Sequence, residues 1–232
     1  MEVIVRILCF VIGYLFGLIQ TAYIYGKMHG IDIREHGSGN SGTTNALRIL
    51  GKKAGLIVFL GDFLKAATAC VIARIIGTIF FPDIVYPMIL LAGLGVVIGH
   101  NFPFYMNFKG GKGIAATAGV VLGLLDYRII IICLLAFILC VIVTRYVSLG
   151  SLVVVSLFFI SFVVLGMNGM IVNSSTGVVC TGKELIESDI IIFLFAALAF
   201  FRHKENIVRL IHGNENKLFD KKKEKQDMIS EK

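Results

Sequence analysis

Three polar stretches carry side chains suited to holding an anion, and each borders an apolar run. The densest is Gly99-His100-Asn101-Phe102-Pro103-Phe104-Tyr105-Met106-Asn107-Phe108-Lys109-Gly110-Gly111-Lys112-Gly113. Glycines let backbone amides approach a ligand closely, and Lys109 and Lys112 add charge, so the natural ligand is a phosphate. The Gly-Gly-Lys-Gly core is similar to a nucleotide P-loop. However, the upstream glycine at the required spacing and the preceding strand are missing, which disfavours a nucleoside triphosphate. His100 has the chemistry of a base, a donor or a hydrogen-bonded interface residue. Positive charge at a cytoplasmic membrane face would account for the lysines but not for the glycines around them.

The second stretch, Gly37-Ser38-Gly39-Asn40-Ser41-Gly42-Thr43-Thr44-Asn45-Ala46-Leu47-Arg48, alternates small polar side chains with flexible backbone. It can wrap an oxyanion with N–H and O–H donors while Arg48 supplies a bidentate fork. It reads equally as a turn before a helix whose arginine meets lipid headgroups. The third runs from Arg202-His203-Lys204-Glu205-Asn206 to Glu215-Asn216-Lys217. Three-residue spacing puts His203 and Asn206 on one helical face, and a basic amphipathic interfacial helix is the alternative. Asp62 and Lys65 stand at i and i+3 inside an apolar run. Ionisable groups at that depth are costly and functional by default; a mutually neutralising pair that supports the bundle explains both without chemistry, a catalytic role is the alternative, and Asp62 could orient a basic site residue.

The elements that position these stretches are membrane spans. The chain is 57% hydrophobic and only 16% charged, and its mean hydropathy of +0.87 excludes a soluble globular domain. Apolar runs fall at residues 3–25, 54–76, 84–99, 114–125, 129–143, 147–167 and 190–201. The fourth and seventh are short for a hydrocarbon core of ~30 Å. They either cross a thinned region or start inside the membrane beside a polar cavity. Loop charge orients the chain. The basic loops at 26–53 and 107–113 and the basic tail from Arg202 alternate with neutral or acidic ones at 81–83, 126–128 and 167–189. The expected fold is an all-α integral membrane protein of seven transmembrane helices, with the N-terminus outside and the C-terminus cytoplasmic. Residues 1–220 would form one membrane domain and 221–232 a basic solvated tail.

That topology puts all three polar stretches on the cytoplasmic face, where they can form one site. The net charge of +7 suits an anionic leaflet rather than nucleic acid. The five cysteines have neither metal-ligand spacing nor a disulfide framework. No carboxylate cluster in these stretches implies a metal, and no cofactor is expected.

Together the three stretches resemble the acyl-phosphate:glycerol-3-phosphate acyltransferase family of bacterial membranes, the PlsY type, over nearly the whole chain. The matching residues are Gly37-Ser38-Gly39-Asn40 with Gly42, Thr44-Asn45 and Arg48, and Gly99-His100 with Phe102-Pro103 and Phe108-Lys109-Gly110-Gly111-Lys112-Gly113. The third set is Arg202-His203, Glu205-Asn206-Ile207, Gly213 and Glu215-Asn216-Lys217. The chain departs from the family at Thr43, at Asn214 and in a long loop around residues 173–189. The resemblance implies a seven-helix bundle that moves a fatty acyl group from acyl phosphate to the 1-hydroxyl of sn-glycerol 3-phosphate. Lysophosphatidate and phosphate would be the products. It implies catalytic roles for Ser38, Arg48, Lys109, His203 and Asn206. Gly37, Gly39, Asn40, Thr44, Asn45, His100, Gly110, Gly111, Lys112, Gly113 and Glu215 would bind substrate, the glycines through their amides. Membrane lipid and an acyl-phosphate-forming enzyme are the implied neighbours in the bacterial cell membrane.

An acyl phosphate is a mixed anhydride, so direct attack by the glycerol hydroxyl needs chiefly that both anions be held together. His203, His100 or a substrate phosphate oxygen could take the proton. The substrate oxygen is favoured, because no His-x-x-x-x-Asp pattern, no adjacent orienting carboxylate and no Ser-His-Asp context for Ser38 appears. A transporter of phosphorylated metabolites would place its site near the midplane. A lipid-binding scaffold would not need Ser38, Asn45, His203 and Asn206 beside its cations.

Overall fold

A computed structural model of the chain describes residues 1–173 and 177–218. The proposed tail at 221–232 lies outside the described residues. Nine α-helices appear among them: α1 (Glu2–Gly17), α2 (Thr21–Met28), α3 (Thr43–Phe80), α4 (Val85–Asn101), α5 (Ile114–Gly123), α6 (Tyr127–Thr144), α7 (Val147–Met167), α8 (Gly182–Arg202) and α9 (Lys204–Ile211). Among the described residues, five stretches are long and apolar enough to cross a membrane: Glu2–Met28, Thr43–Phe80, Pro82–Met106, Tyr127–Thr144 and Val147–Met167. The short fourth run is α5, at 10 residues. The seventh is part of the 21-residue α8, whose first turns bring in Lys183, Glu184, Glu187 and Asp189.

Close backbone contact between α1 and α4 sets the frame. Gly13 and Gly17 on one helix face Gly95 and Gly99 on the other. A Cβ on any of the four would stand 2.0 to 2.2 Å from a carbonyl oxygen across the interface, at Ala92, Val96, Phe10 or Tyr14. Apolar lipid gives helices no hydrophobic reason to associate, so small residues that let backbones touch supply the packing. The helices run parallel, and the end of α4 is thereby fixed beside the end of α1.

The first apolar run is not one helix as expected. Its α1 stops at Gly17 and α2 begins at Thr21, because the end of α1 is held by side chains from elsewhere. Lys65 of α3 donates to the carbonyls of Ile19 and, at 3.5 Å, Gly17. Gln20, fully buried, donates to the Gly17 carbonyl at 3.2 Å. Arg74, also on α3, does the same for the end of α5, donating from Nε to Gly123 at 3.3 Å and from Nη2 to Leu124. Helix ends leave orphan carbonyls that cost several kcal/mol in hydrocarbon, so one long helix carries the cations that cap two short ones. Gly51, at φ 84° and ψ −176°, kinks α3 and sets its first two turns apart from the long remainder.

At the other end of the bundle Arg6 pairs with Glu187 at 2.7 Å, tying α1 to α8. Tyr86 donates to the Val172 carbonyl at 2.9 Å. With these contacts at one end, the chain order brings residues 36–45, 100–113 and 202–218 together at the opposite end.

Candidate active site

The stretch after α4 folds back on the helix that precedes it. The carbonyl of Pro103 accepts from Met106 at 3.0 Å and Phe108 at 3.1 Å, and Asn107 and Phe108 take positive φ values of 52° and 58° to close the turn. The returning chain then donates from Gly110 to the Asn101 carbonyl and from Gly111 to the His100 carbonyl, each at 3.1 Å. Two terminal carbonyls of α4 are thus satisfied by the glycine pair. The glycines are required by contact, since a Cβ on Gly110 would lie 2.0 Å from the His100 carbonyl oxygen and one on Gly111 2.0 Å from His100 Nε2. This corrects the expectation that the Gly110 and Gly111 amides face substrate, because both are spent inside the loop. The Gly39 amide is spent likewise, on the His36 carbonyl at 3.1 Å. Free donors lie one step on, where Gly113 at φ 79° starts α5. The helical ladder of α5 begins with Thr117 donating to Gly113 at 2.8 Å, so Ile114, Ala115 and Ala116 have no partner within the helix for their N–H groups. A helix N-terminus of this kind favours phosphate.

The Ser38 loop is shaped by Asn45. Its amide donates to the carbonyls of Ile33 at 3.1 Å and His36 at 3.0 Å, and its Oδ1 accepts the Ser38 backbone N–H at 2.9 Å. Three bonds from one buried side chain make Asn45 the post around which the loop winds. Gly37 passes so close that a Cβ there would meet Asn45 Oδ1 at 2.4 Å. Asp32 closes the loop's base through Arg34 at 2.7 Å and Lys27 at 3.3 Å. The Arg34 guanidinium holds that carboxyl well below the usual range. Asn40 reaches the glycine loop, donating to the Gly110 carbonyl at 3.5 Å. Gln20 joins the same two loops, accepting from Ser41 at 3.4 Å and donating to the His100 carbonyl at 3.0 Å.

The third stretch arrives from α8. Arg202 donates from Nη2 to the carbonyls of both Gly110 and Gly111 at 2.9 Å, with its guanidinium 5.2 Å from the centre of the Phe102 ring. His203 occupies the break between α8 and α9 and is buried. Its Nδ1 lies 2.8 Å from the Ala199 carbonyl. A carbonyl only accepts, so the neutral ring carries its proton on Nδ1 and leaves a lone pair on Nε2. Burial, reinforced by the nearby Lys112 charge, pushes its pKa down to about 4, so the ring is neutral at physiological pH. Asn206 is buried on α9, accepts from Lys112 Nζ through Oδ1, and donates to Glu215 at 3.0 Å. The other oxygen of Glu215 accepts from Arg209 at 3.0 Å. Burial lowers the Lys112 pKa to about 8 against the opposing pull of Glu215, and Arg209 and Arg202 add to the lowering. The chain after Glu215 continues to the α6–α7 turn, where Leu218 donates to the Arg145 carbonyl at 2.8 Å.

The three stretches therefore meet through Asn40–Gly110, Arg202–Gly110 and Lys112–Asn206. Ser38, Arg48 and Lys109 are exposed, and their side chains make no hydrogen bond or ion pair among the described residues. Thr44 lies half-buried in the first turn of α3. Sequence reasoning missed Gln20, Arg202 as a clasp on the glycine loop, and Arg209 as the partner of Glu215. A glutamine inside an apolar run was the available signal for Gln20.

The chain is similar to known proteins along nearly its whole length. The family model for glycerol-3-phosphate acyltransferase matches residues 7–213. The glycerol-3-phosphate acyltransferase of Clostridioides difficile (strain 630) is 38% identical, over 96% of this chain and 100% of its own. That of Thermoanaerobacter sp. (strain X514) is 40% identical, over 93% and 96%. Crystal structures of PlsY (YgiH), an integral membrane glycerol 3-phosphate acyltransferase, superimpose at 30% identity, covering 92% of this chain and 95% of theirs. The TM-score is 0.75 for its glycerol 3-phosphate form and 0.73 for its lysophosphatidic acid form. With its three polar stretches joined at one end of an all-helical membrane bundle, the chain belongs to the glycerol-3-phosphate acyltransferase family.

Proposed function

We propose that the protein transfers a fatty acyl group from acyl phosphate to the 1-hydroxyl of sn-glycerol 3-phosphate, releasing lysophosphatidate and inorganic phosphate. The observation that carries this reading is the junction of Lys112, Asn206 and the α5 N-terminus, a cationic, donor-rich corner for a phosphate at the end of a lipid-exposed bundle. Arg48 and Lys109 are the further cations for two anionic substrates, with Ser38 and Thr44 as hydroxyl donors. The glycerol oxygen attacks the acyl carbon while the bond from that carbon to the phosphate oxygen breaks. His203 Nε2, neutral and unprotonated, accepts a hydrogen bond from the glycerol and orients it. With a pKa of about 4 His203 is a poor proton acceptor, and a substrate phosphate oxygen takes the proton. Juxtaposing the two anions supplies roughly 7 to 11 kcal/mol of the barrier reduction in favourable cases.

The acyl chain fits the apolar groove between α7 and α8, of about 440 Å³, lined by Phe159, Ile160, Phe193, Ala196, Ala197 and Phe200. Phe200 is three residues before His203, so a chain in that groove has its head at the site. In the membrane the reading has seven spans, α5 and α8 being the two beyond the five long apolar stretches. The N-terminus lies outside and the site faces the cytoplasm beside the enzyme that forms acyl phosphate. Residues 1–220 act as one domain. The test is lysophosphatidate formation by purified protein in lipid, from labelled glycerol 3-phosphate with palmitoyl phosphate or palmitoyl-CoA, EDTA present. Product from the acyl phosphate alone supports the reading, and no product from either donor with folded protein rejects it.

A further inference from the structure

The buried pair noted in the sequence does more than neutralise itself. Lys65 Nζ lies 2.8 Å from Asp62 Oδ1 and 3.0 Å from His100 Nδ1, and also donates to the Ile19 carbonyl. Asp62 Oδ1 accepts a further bond from Thr21 at 3.0 Å. Asp62, Lys65 and His100 are each less than a tenth exposed. A lysine ammonium has no lone pair and can only donate, whatever its acceptor. His100 Nδ1 is therefore the acceptor, and the ring's proton sits on Nε2. That nitrogen faces Gly111, where a Cβ would stand 2.0 Å away, while the His100 carbonyl holds the Gly111 amide at 3.1 Å.

We propose that Asp62 and Lys65 are positioning residues that lock His100 as the neutral Nε2–H tautomer, making its ring the platform of the glycine loop and excluding it from proton transfer. The charged groups around the ring are Asp62 and Lys65 from α3 and Arg202 from α8. Lys65 links the broken end of α1 to His100, so the loop's position depends on both helices.

This role rests on the acyltransferase reading only for its kinetic readout. The first measurement, the ¹⁵N spectrum of His100 imidazole in lipid-reconstituted protein, is independent of activity. One unprotonated Nδ1 and one protonated Nε2 are expected, unchanged from about pH 5 to about pH 8, and Lys65→Met should give a mixture of tautomers. A ring protonated on Nδ1, or one that titrates near neutrality, overturns the proposal. The second measurement compares His100→Asn with His100→Ala. An asparagine oxygen stands near the place of Nδ1 and keeps the bond to Lys65. Asparagine is therefore expected to recover at least about tenfold of the kcat/KM that alanine loses. Equal loss in both variants, each shown to be folded, would assign His100 to proton transfer and sink the idea. An inactive wild type would reject the acyltransferase reading while the ¹⁵N result still decided the tautomer.

Discussion

Replacing Gly110 by alanine tests whether the glycine loop is built by contact or merely flexible. The added Cβ would stand 2.0 Å from the His100 carbonyl oxygen, 2.7 Å from Pro103 Cδ and 3.0 Å from the Asn101 carbonyl oxygen. The first gap is more than an ångström short of van der Waals separation, and the nearest atom is backbone. That carbonyl cannot retreat freely, because Gly111 and Gln20 both donate to it. The loop must therefore move, loosening the Gly110–Asn101 and Gly111–His100 bonds and the Arg202 bonds to both glycine carbonyls. Two neutral bonds at about 1 kcal/mol each and a charged donor worth about 2 kcal/mol give a loss of about 4 kcal/mol. If that loss falls on the transition state, kcat/KM drops about a thousandfold. Lysophosphatidate formation measures it, with a melting curve to show the bundle intact. Gly30→Ala is the control. Unlike Gly110 it has a positive φ, at 77°, but a Cβ there meets nothing within 4 Å, so it costs roughly 1 kcal/mol of stability and leaves kinetics intact. A Gly110→Ala enzyme within about threefold of wild type in kcat/KM would refute the reasoning.

Four other outcomes follow from the same geometry. As pH rises through about 8, Lys112 loses its proton while the substrate phosphate remains dianionic, so the KM for glycerol 3-phosphate should climb; a flat KM one unit above that pKa contradicts the assignment. Asn45→Ala removes three bonds that shape the Ser38 loop, and should cost about 2–4 kcal/mol, read as a lower melting temperature together with a raised KM. Arg202→Lys keeps the charge but not the shared hold on Gly110 and Gly111, and steady-state kinetics should show kcat/KM reduced about tenfold or more. Arg74→Met uncovers the end of α5 and should lower the melting temperature by several degrees, an effect of about 2 kcal/mol, with KM and kcat unchanged.

The membrane class, the rough positions of the apolar helices and the three polar stretches were legible in the chain because each is a local property. Apolar runs long enough for hydrocarbon, and glycines and cations clustered between them, need no partner to be recognised. Helical spacing put His203 and Asn206 on one face, and both are buried, although His203 sits at the break between α8 and α9. Contacts between distant segments decided the rest. The first apolar run is continuous in composition, yet Lys65 and Gln20 stop α1 at Gly17 because they satisfy its carbonyls from the side. Glycine composition marked the loop at 110–113 as able to offer amides. Only the fold-back onto His100 and Asn101 spent those of Gly110 and Gly111, leaving the first N–H groups of α5 without partners inside their helix. Residue types specify which groups can hold a phosphate, whereas each N–H and carbonyl bonds to whatever the packed helices bring within reach, so the donors left over for substrate depend on the tertiary structure.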